Sequence, residues 1–86
     1  MLVKELAKTL GRHGIRVNAL VPGAVAAGGF VADPKLARHI PLGRLGAAED
    51  LAPMALAVLS NRISAYVTGA AIVVDGGLSL MNWFEP

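Results

Sequence analysis

The sequence predicts an α/β chain with parallel strands, and three observations predict it. Residues 15–23 read Ile-Arg-Val-Asn-Ala-Leu-Val-Pro-Gly, a run of β-formers stopped by Pro22 and Gly23. A second short apolar run, Ala71–Val74, ends at Asp75-Gly76-Gly77. Helical periodicity precedes the first run and recurs between the two, and a strand, a long helical crossover and a strand make the βαβ arrangement of a parallel sheet.

Taken in order, Leu2, Leu6 and Leu10 recur at i, i+4 and i+8, with Val3 and Ala7 widening the stripe and Lys4, Glu5 and Lys8 off it. This is a helix ending at Gly11 or Gly14. Met1 enters the pattern with no Ser, Thr, Asp or Asn cap before it, so the chain is expected to begin inside a helix. In residues 15–21, Ile15, Val17, Ala19 and Val21 share one face while Leu20 makes the other partly apolar, as in a buried strand covered on both sides. Residues 24–29 are rich in Ala and Gly and read as a loop. Asp33-Pro34 is a cap followed by Pro at the first helical position, giving a short helix to about His39 that Pro41 ends. Gly43-Arg44-Leu45-Gly46 is a turn into a helix over 48–60, with Leu51, Met54, Ala55, Val58 and Leu59 at helical spacing and Glu49 and Asp50 in its first turn. Pro53 conflicts with that helix unless it lies very near the start. Ala71–Val74 reads as a second buried strand.

Composition sets bounds. A chain of 86 residues buries only about 60% of its unfolded surface, yet 55% of these residues are hydrophobic, and the mean hydropathy is +0.58. Two strands and two helices cannot cover both faces of a sheet, so the apolar load implies a partner chain or a further part of the same domain. The net charge is +2, but the eight Lys and Arg are spread along the chain with no basic cluster among aromatics, which argues against nucleic acid. No cysteine is present, which excludes disulfides, thiolate metal sites and a Cys nucleophile. The longest apolar run, residues 51–59, contains Pro53 and is far short of the ~20 residues of a membrane span. The expectation is a soluble, cytoplasmic protein.

Several polar residues have structural readings. Asn18, inside an apolar strand, reads as a core amide bonding loop backbone. Arg44 reads as a partner for Asp50 or Glu49 at the helix start, and Asp75 with Gly76-Gly77 as a turn. His13 and His39 have no ligand-spaced partner, so no metal site is expected. Ser60, Ser64 and Ser79 lack a Gly-x-Ser-x-Gly context. Trp83 and Phe84 are expected against another subunit. Taken alone, Pro22-Gly23 is a strand-ending turn.

The order Leu-Ala-Lys-Thr-Leu-Gly-Arg-His-Gly-Ile-Arg-Val-Asn-Ala-Leu-Val-Pro-Gly, then Ile-Pro-Leu-Gly-Arg-Leu-Gly, then Tyr-Val-Thr-Gly and Val-Asp-Gly-Gly, resembles the C-terminal third of the short-chain dehydrogenases/reductases. The resemblance implies the C-terminal portion of a Rossmann-type doubly wound parallel sheet, with residues 15–21 on its sixth strand and 71–75 on its seventh. It implies NAD or NADP as cofactor and hydride transfer to or from a small-molecule alcohol or carbonyl. By the family pattern the loop after Pro22-Gly23 cradles the nicotinamide, and the backbone at Val25 meets its carboxamide. A threonine usually follows two positions later, where this chain has Ala27. The segment up to Ile40 corresponds to the substrate lid, short here and poor in polar groups.

The rest of the family pattern has no counterpart. Gly28-Gly29, Gly43 with Gly46, and Gly76-Gly77 do not make G-x-G-x-x-G. Tyr66 is the only tyrosine, and the residue four on is Ala70, so Tyr-x-x-x-Lys is absent too. The expectation is a segment with no catalytic residue of its own, cofactor contacts at Pro22, Gly23 and Val25, and an N-terminal cofactor-binding and catalytic part lying elsewhere. The alternative is a non-catalytic module that self-associates or binds a partner. Either way the expected partner is that N-terminal part or further copies in a homo-oligomer.

Overall fold

The computed structural model describes residues 1–27 and 30–81; the expectations for Gly28, Gly29, Trp83 and Phe84 lie outside them. Helix α1 (Leu2–Gly11) forms on the predicted stripe, and its N-cap Met1 makes no side-chain capping bond. Its end turns through Gly14, whose φ of 73° only glycine adopts without strain. Ala7, 6% exposed, is the buried point of the helix. It sits against Gly69, where an added Cβ would lie 3.5 Å from the Ala7 methyl.

Strands β1 (Ala19–Pro22) and β4 (Ala71–Val74) pair in parallel, Ala19 opposite Ala71 and Pro22 opposite Val74. The predicted strand at 15–21 is therefore four residues too long at its amino end and one too short at the other. The reason at the amino end is chemical: there side chains share the pairing with backbone. Thr68 Oγ1 accepts the Val17 N–H, and Asn18 donates to the Val67 carbonyl and accepts the Ala70 N–H. At the other end Pro22 stays in the strand. The Ala19 and Gly23 N–H groups donate to Ala70 and Val74, so alternation turns the nitrogens of Leu20 and Pro22 to the opposite edge, where Pro22 costs the β1–β4 ladder no bond.

The crossover from β1 to β4 carries more structure than a loop. Residues 24–29, read as a loop, contribute β2 (Ala26–Ala27), antiparallel to β3 (Phe30–Val31), and Val25 bridges Gly46 in parallel. The predicted short helix is a 3₁₀ helix, Pro34–His39, with Asp33 Oδ1 accepting the Lys35 N–H. Helix α2 (Ala48–Leu59) holds Pro53 in its interior rather than at its start. Pro53 lies in the second turn, where its missing N–H forfeits one bond, to the Glu49 carbonyl, and the helix continues.

Both strands were expected to be buried, but Val21 is 42% and Val73 51% exposed. Among the described residues only Ala7 and Ile40 are buried apolar side chains. The radius of gyration is 15.3 Å, against about 12 Å for a compact chain of this length. A two-stranded sheet has too little surface opposite it to cover these faces, so the apolar load stands largely in the open.

Candidate functional site

The carboxyl ends of β1 and β4 converge on glycine. A Cβ at Gly23 would stand 2.6 Å from the Cβ of Asp75 and 2.9 Å from its Cα, so only glycine lets the chain leave β1 this close to β4. Gly76 and Gly77 have positive φ, and added Cβ atoms there would stand 2.8 Å from Ile40 Cγ2 and Pro41 Cγ. The 40–42 segment thus lies directly on the turn after β4, with the Leu42 N–H donating to the Gly76 carbonyl at 3.1 Å. Asp75 closes that turn, accepting from the Gly77 N–H at 2.9 Å and the Ser79 N–H at 2.8 Å. The Ser79 hydroxyl and these backbone donors hold its carboxyl below the usual carboxylate range.

Beyond Gly23 the loop is held along both edges, by Gly46 on one and by the chain of β3 on the other. The Gly46 N–H donates to Ala24 O and the Ala26 N–H to Gly46 O, each at 2.9 Å. Alternation then points the N–H and C=O of Val25 itself away from Gly46, and its carbonyl accepts the Ala32 N–H at a long 3.3 Å. Pro22, Gly23 and Val25 are thereby brought together as one strand end and its exit.

Arg44 and Asp50 stand over the Gly46 side as an ion pair. Nη1 to Oδ2 is 2.7 Å and Nη2 to Oδ1 2.9 Å, a fork on both carboxylate oxygens. Arg44, with help from the Ala47 N–H at 2.8 Å, pulls the Asp50 carboxyl down to about 2. Ala47 has no side-chain acceptor, so only the reciprocal half of a capping box forms at the start of α2. Beneath the pair, Ala24, Val25, Leu42, Leu51, Val74 and Gly76 line a cleft of about 130 Å³. That is well below the roughly 300 Å³ that encloses even a small drug-sized ligand. The cleft has room for a single ring beside Val25 and not for the remainder of a dinucleotide.

The amino ends of the strands look different. Arg16 donates to the carbonyls of Val58 and Val67 through Nη1, at 2.9 and 3.1 Å, to that of Leu59 through Nη2, and to Asn61 Oδ1. It caps α2 and ties it to the chain entering β4. Ser64 is buried, its hydroxyl 2.8 Å from the carbonyls of Ala57 and Val58. Sequence reasoning found Asn18 and missed Arg16 and Ser64. The available signal was an Arg at the mouth of an apolar run and a Ser four residues past the helix end at Ser60. Tyr66 lies at this end too, fully exposed and opposite the Gly23 loop along the strands.

Among the described residues no three His, Asp or Glu side chains stand together as a metal site, and no helix is long and apolar enough to cross a membrane.

Comparison with known proteins gives a consistent result. Residues 1–79 match the family model described as Enoyl-(Acyl carrier protein) reductase. The L-rhamnose 1-dehydrogenase (NAD(P)(+)) of Sphingomonas sp. is 43% identical over 84 residues, which cover 90% of this chain and 33% of that protein. A short chain dehydrogenase from Bacillus anthracis superposes with a TM-score of 0.83 at 35% identity, covering 98% of this chain and 34% of its own. An oxidoreductase from Haemophilus influenza assigned to D-mannonate, solved with bound NAD, superposes at 0.81 with 30% identity, covering 94% and 33%. The chain thus spans about a third of the length of the relatives it matches.

Proposed function

This chain belongs to the short-chain dehydrogenase/reductase family, and on that premise we propose that it is the C-terminal segment of a cytoplasmic, NAD- or NADP-dependent oxidoreductase acting on a small alcohol or carbonyl. Its part is to supply the nicotinamide-side loop and the lid segment that follows. The observation that carries this reading is the backbone at Val25, whose peptide groups are turned away from Gly46 while Gly46 fixes the residues on either side. The Val25 N–H, turned away from Gly46, suits the oxygen of a carboxamide, and the Val25 carbonyl is shared with the Ala32 N–H. When bound, the nicotinamide would give or take the hydride. Pro22 sets the exit direction of β1, Gly23 allows the loop to hug β4, and Val25 would orient the ring.

No described side chain in this chain suits the proton transfer. Tyr66 is at the wrong end of the sheet, and the ionisable groups at the carboxyl ends, Asp75, Asp50 and Arg44, are already engaged. Residues 1–86 alone are therefore expected to be inactive, and the acid or base comes from chain outside them. Purified 86-residue material should not oxidise NADPH with any carbonyl beyond background; turnover that survives repurification contradicts this.

A second reading has its own observation. Leu56 is 69% and Leu59 75% exposed, with Leu2 and Ile63 similarly bare, a surface suited to self-association or a partner without cofactor. A titration of NADH fluorescence separates the two. Binding tighter than millimolar supports the retained nicotinamide site, and its absence together with a light-scattering mass above one chain supports the binding module.

A further inference from the structure

We propose that Arg44 and Asp50 are positioning residues that set the backbone of the 24–26 loop; this rests on the reading of that loop as the nicotinamide side of a cofactor site. The coupling can be followed bond by bond. Asp50 belongs to the first turn of α2, a fixed reference. Its Oδ2 accepts from Arg44 Nη1 at 2.7 Å and from the Ala47 N–H at 2.8 Å, and Nη1 also donates to Leu45 O at 3.2 Å. One ion pair therefore ties down residues 44, 45 and 47 of the turn.

The turn residue left out is Gly46, and its N–H and C=O are engaged by Ala24 and Ala26. Gly46 lies in van der Waals reach of the loop, since an added Cβ would stand 3.4 Å from Val25 Cγ2 and 3.6 Å from Ala24 O. The bridge is thus a backbone contact whose one wall is placed by the ion pair. Upstream, Leu42 is already anchored on Gly76, so the pair governs the free half of the turn. Bidentate geometry fixes direction as well as distance, which a single-point cation does not. A residue that tilts the Val25 peptide changes how the ring end is held and leaves any adenine-end contacts untouched.

The test is hydrogen exchange followed by mass spectrometry on the native polypeptide carrying this sequence, comparing wild type with Arg44→Ala, Asp50→Asn and Arg44→Lys. Expected is a rise of about five-fold in exchange at residues 24–26 and 46–47 for Arg44→Ala and Asp50→Asn, a smaller rise for Arg44→Lys, and no change at 67–74. An unchanged rate at 24–26, or a rise shared equally by 67–74, overturns the proposal. The second readout is binding: NADH should weaken in the variants while ADP-ribose, which lacks the ring, does not. Equal weakening of both, or of neither, also overturns it. Wild-type protein that binds no NADH contradicts the cofactor reading of the loop, whereas the exchange comparison decides the positioning role by itself.

Discussion

The two ends of the β1–β4 pair are held by different chemistry. At the amino ends, Arg16, Asn18, Ser64 and Thr68 spend their side chains on backbone groups, and the described residues there include no buried side-chain nitrogen or oxygen without a partner. At the carboxyl ends, Gly23, Gly46, Gly76 and Gly77 bring backbone against backbone or against a neighbouring side chain, and two carboxylates close the turns. A network of side chains fixes a fold but leaves no group over for a ligand. Glycine contacts fix the chain through its backbone and leave the Val25 N–H facing away from Gly46, at the strand ends where open α/β sheets bind ligands.

The comparison breaks most readily at Gly23. Gly23→Ala places a methyl 2.6 Å from the Asp75 Cβ and should cost about 3 kcal/mol, seen as a lower urea midpoint with exchange rising first at 23–27. At the other end Asn18→Ala strands the Val67 carbonyl and the Ala70 N–H, both part-buried, for about 2 kcal/mol, with exchange rising at 67–71 and not at 23–27. Ser64→Ala removes one buried donor among the last α2 carbonyls and should cost about 1 kcal/mol by the same melt. If Asn18→Ala loosens the Gly23 loop as much as Gly23→Ala does, the two ends are one unit and the contrast fails.

The smallest effect is in pH. The Asp50 carboxyl is lowered from 3.8 to about 2 by Arg44 and the Ala47 N–H. A depressed carboxylate lends its support fully above its unfolded value and loses it as the pH falls through the folded one. Exchange at 24–26, corrected for intrinsic rate, should be flat from pH 7 to about 4 and rise toward pH 2. Asp50→Asn should be flat throughout that range.

Much of this was legible in residues. The stripe of Leu2, Leu6 and Leu10 gave α1, Asp33-Pro34 gave the short helix and its cap, and the Arg44 and Asp75 roles followed from their places beside a helix start and a Gly-Gly turn. The strand at 15–21 was overextended because periodicity does not reveal that Asn18 and Thr68 replace part of the ladder. The pairing of β2 with β3 was hidden because Ala26 and Ala27 carry no β pattern, and the bridge from Val25 to Gly46 is a contact between backbones distant in sequence. Burial was misjudged for a physical reason: an apolar strand reads the same whether its cover lies in this chain or beyond it.

The decisive measurement is the intact mass of the native polypeptide, located through the tryptic peptide of residues 45–62. The account predicts about three times 8.9 kDa, with a Tyr-x-x-x-Lys sequence recovered ahead of Met1. A mass of 8.9 kDa would contradict it, and the partner-binding reading would then stand in its place.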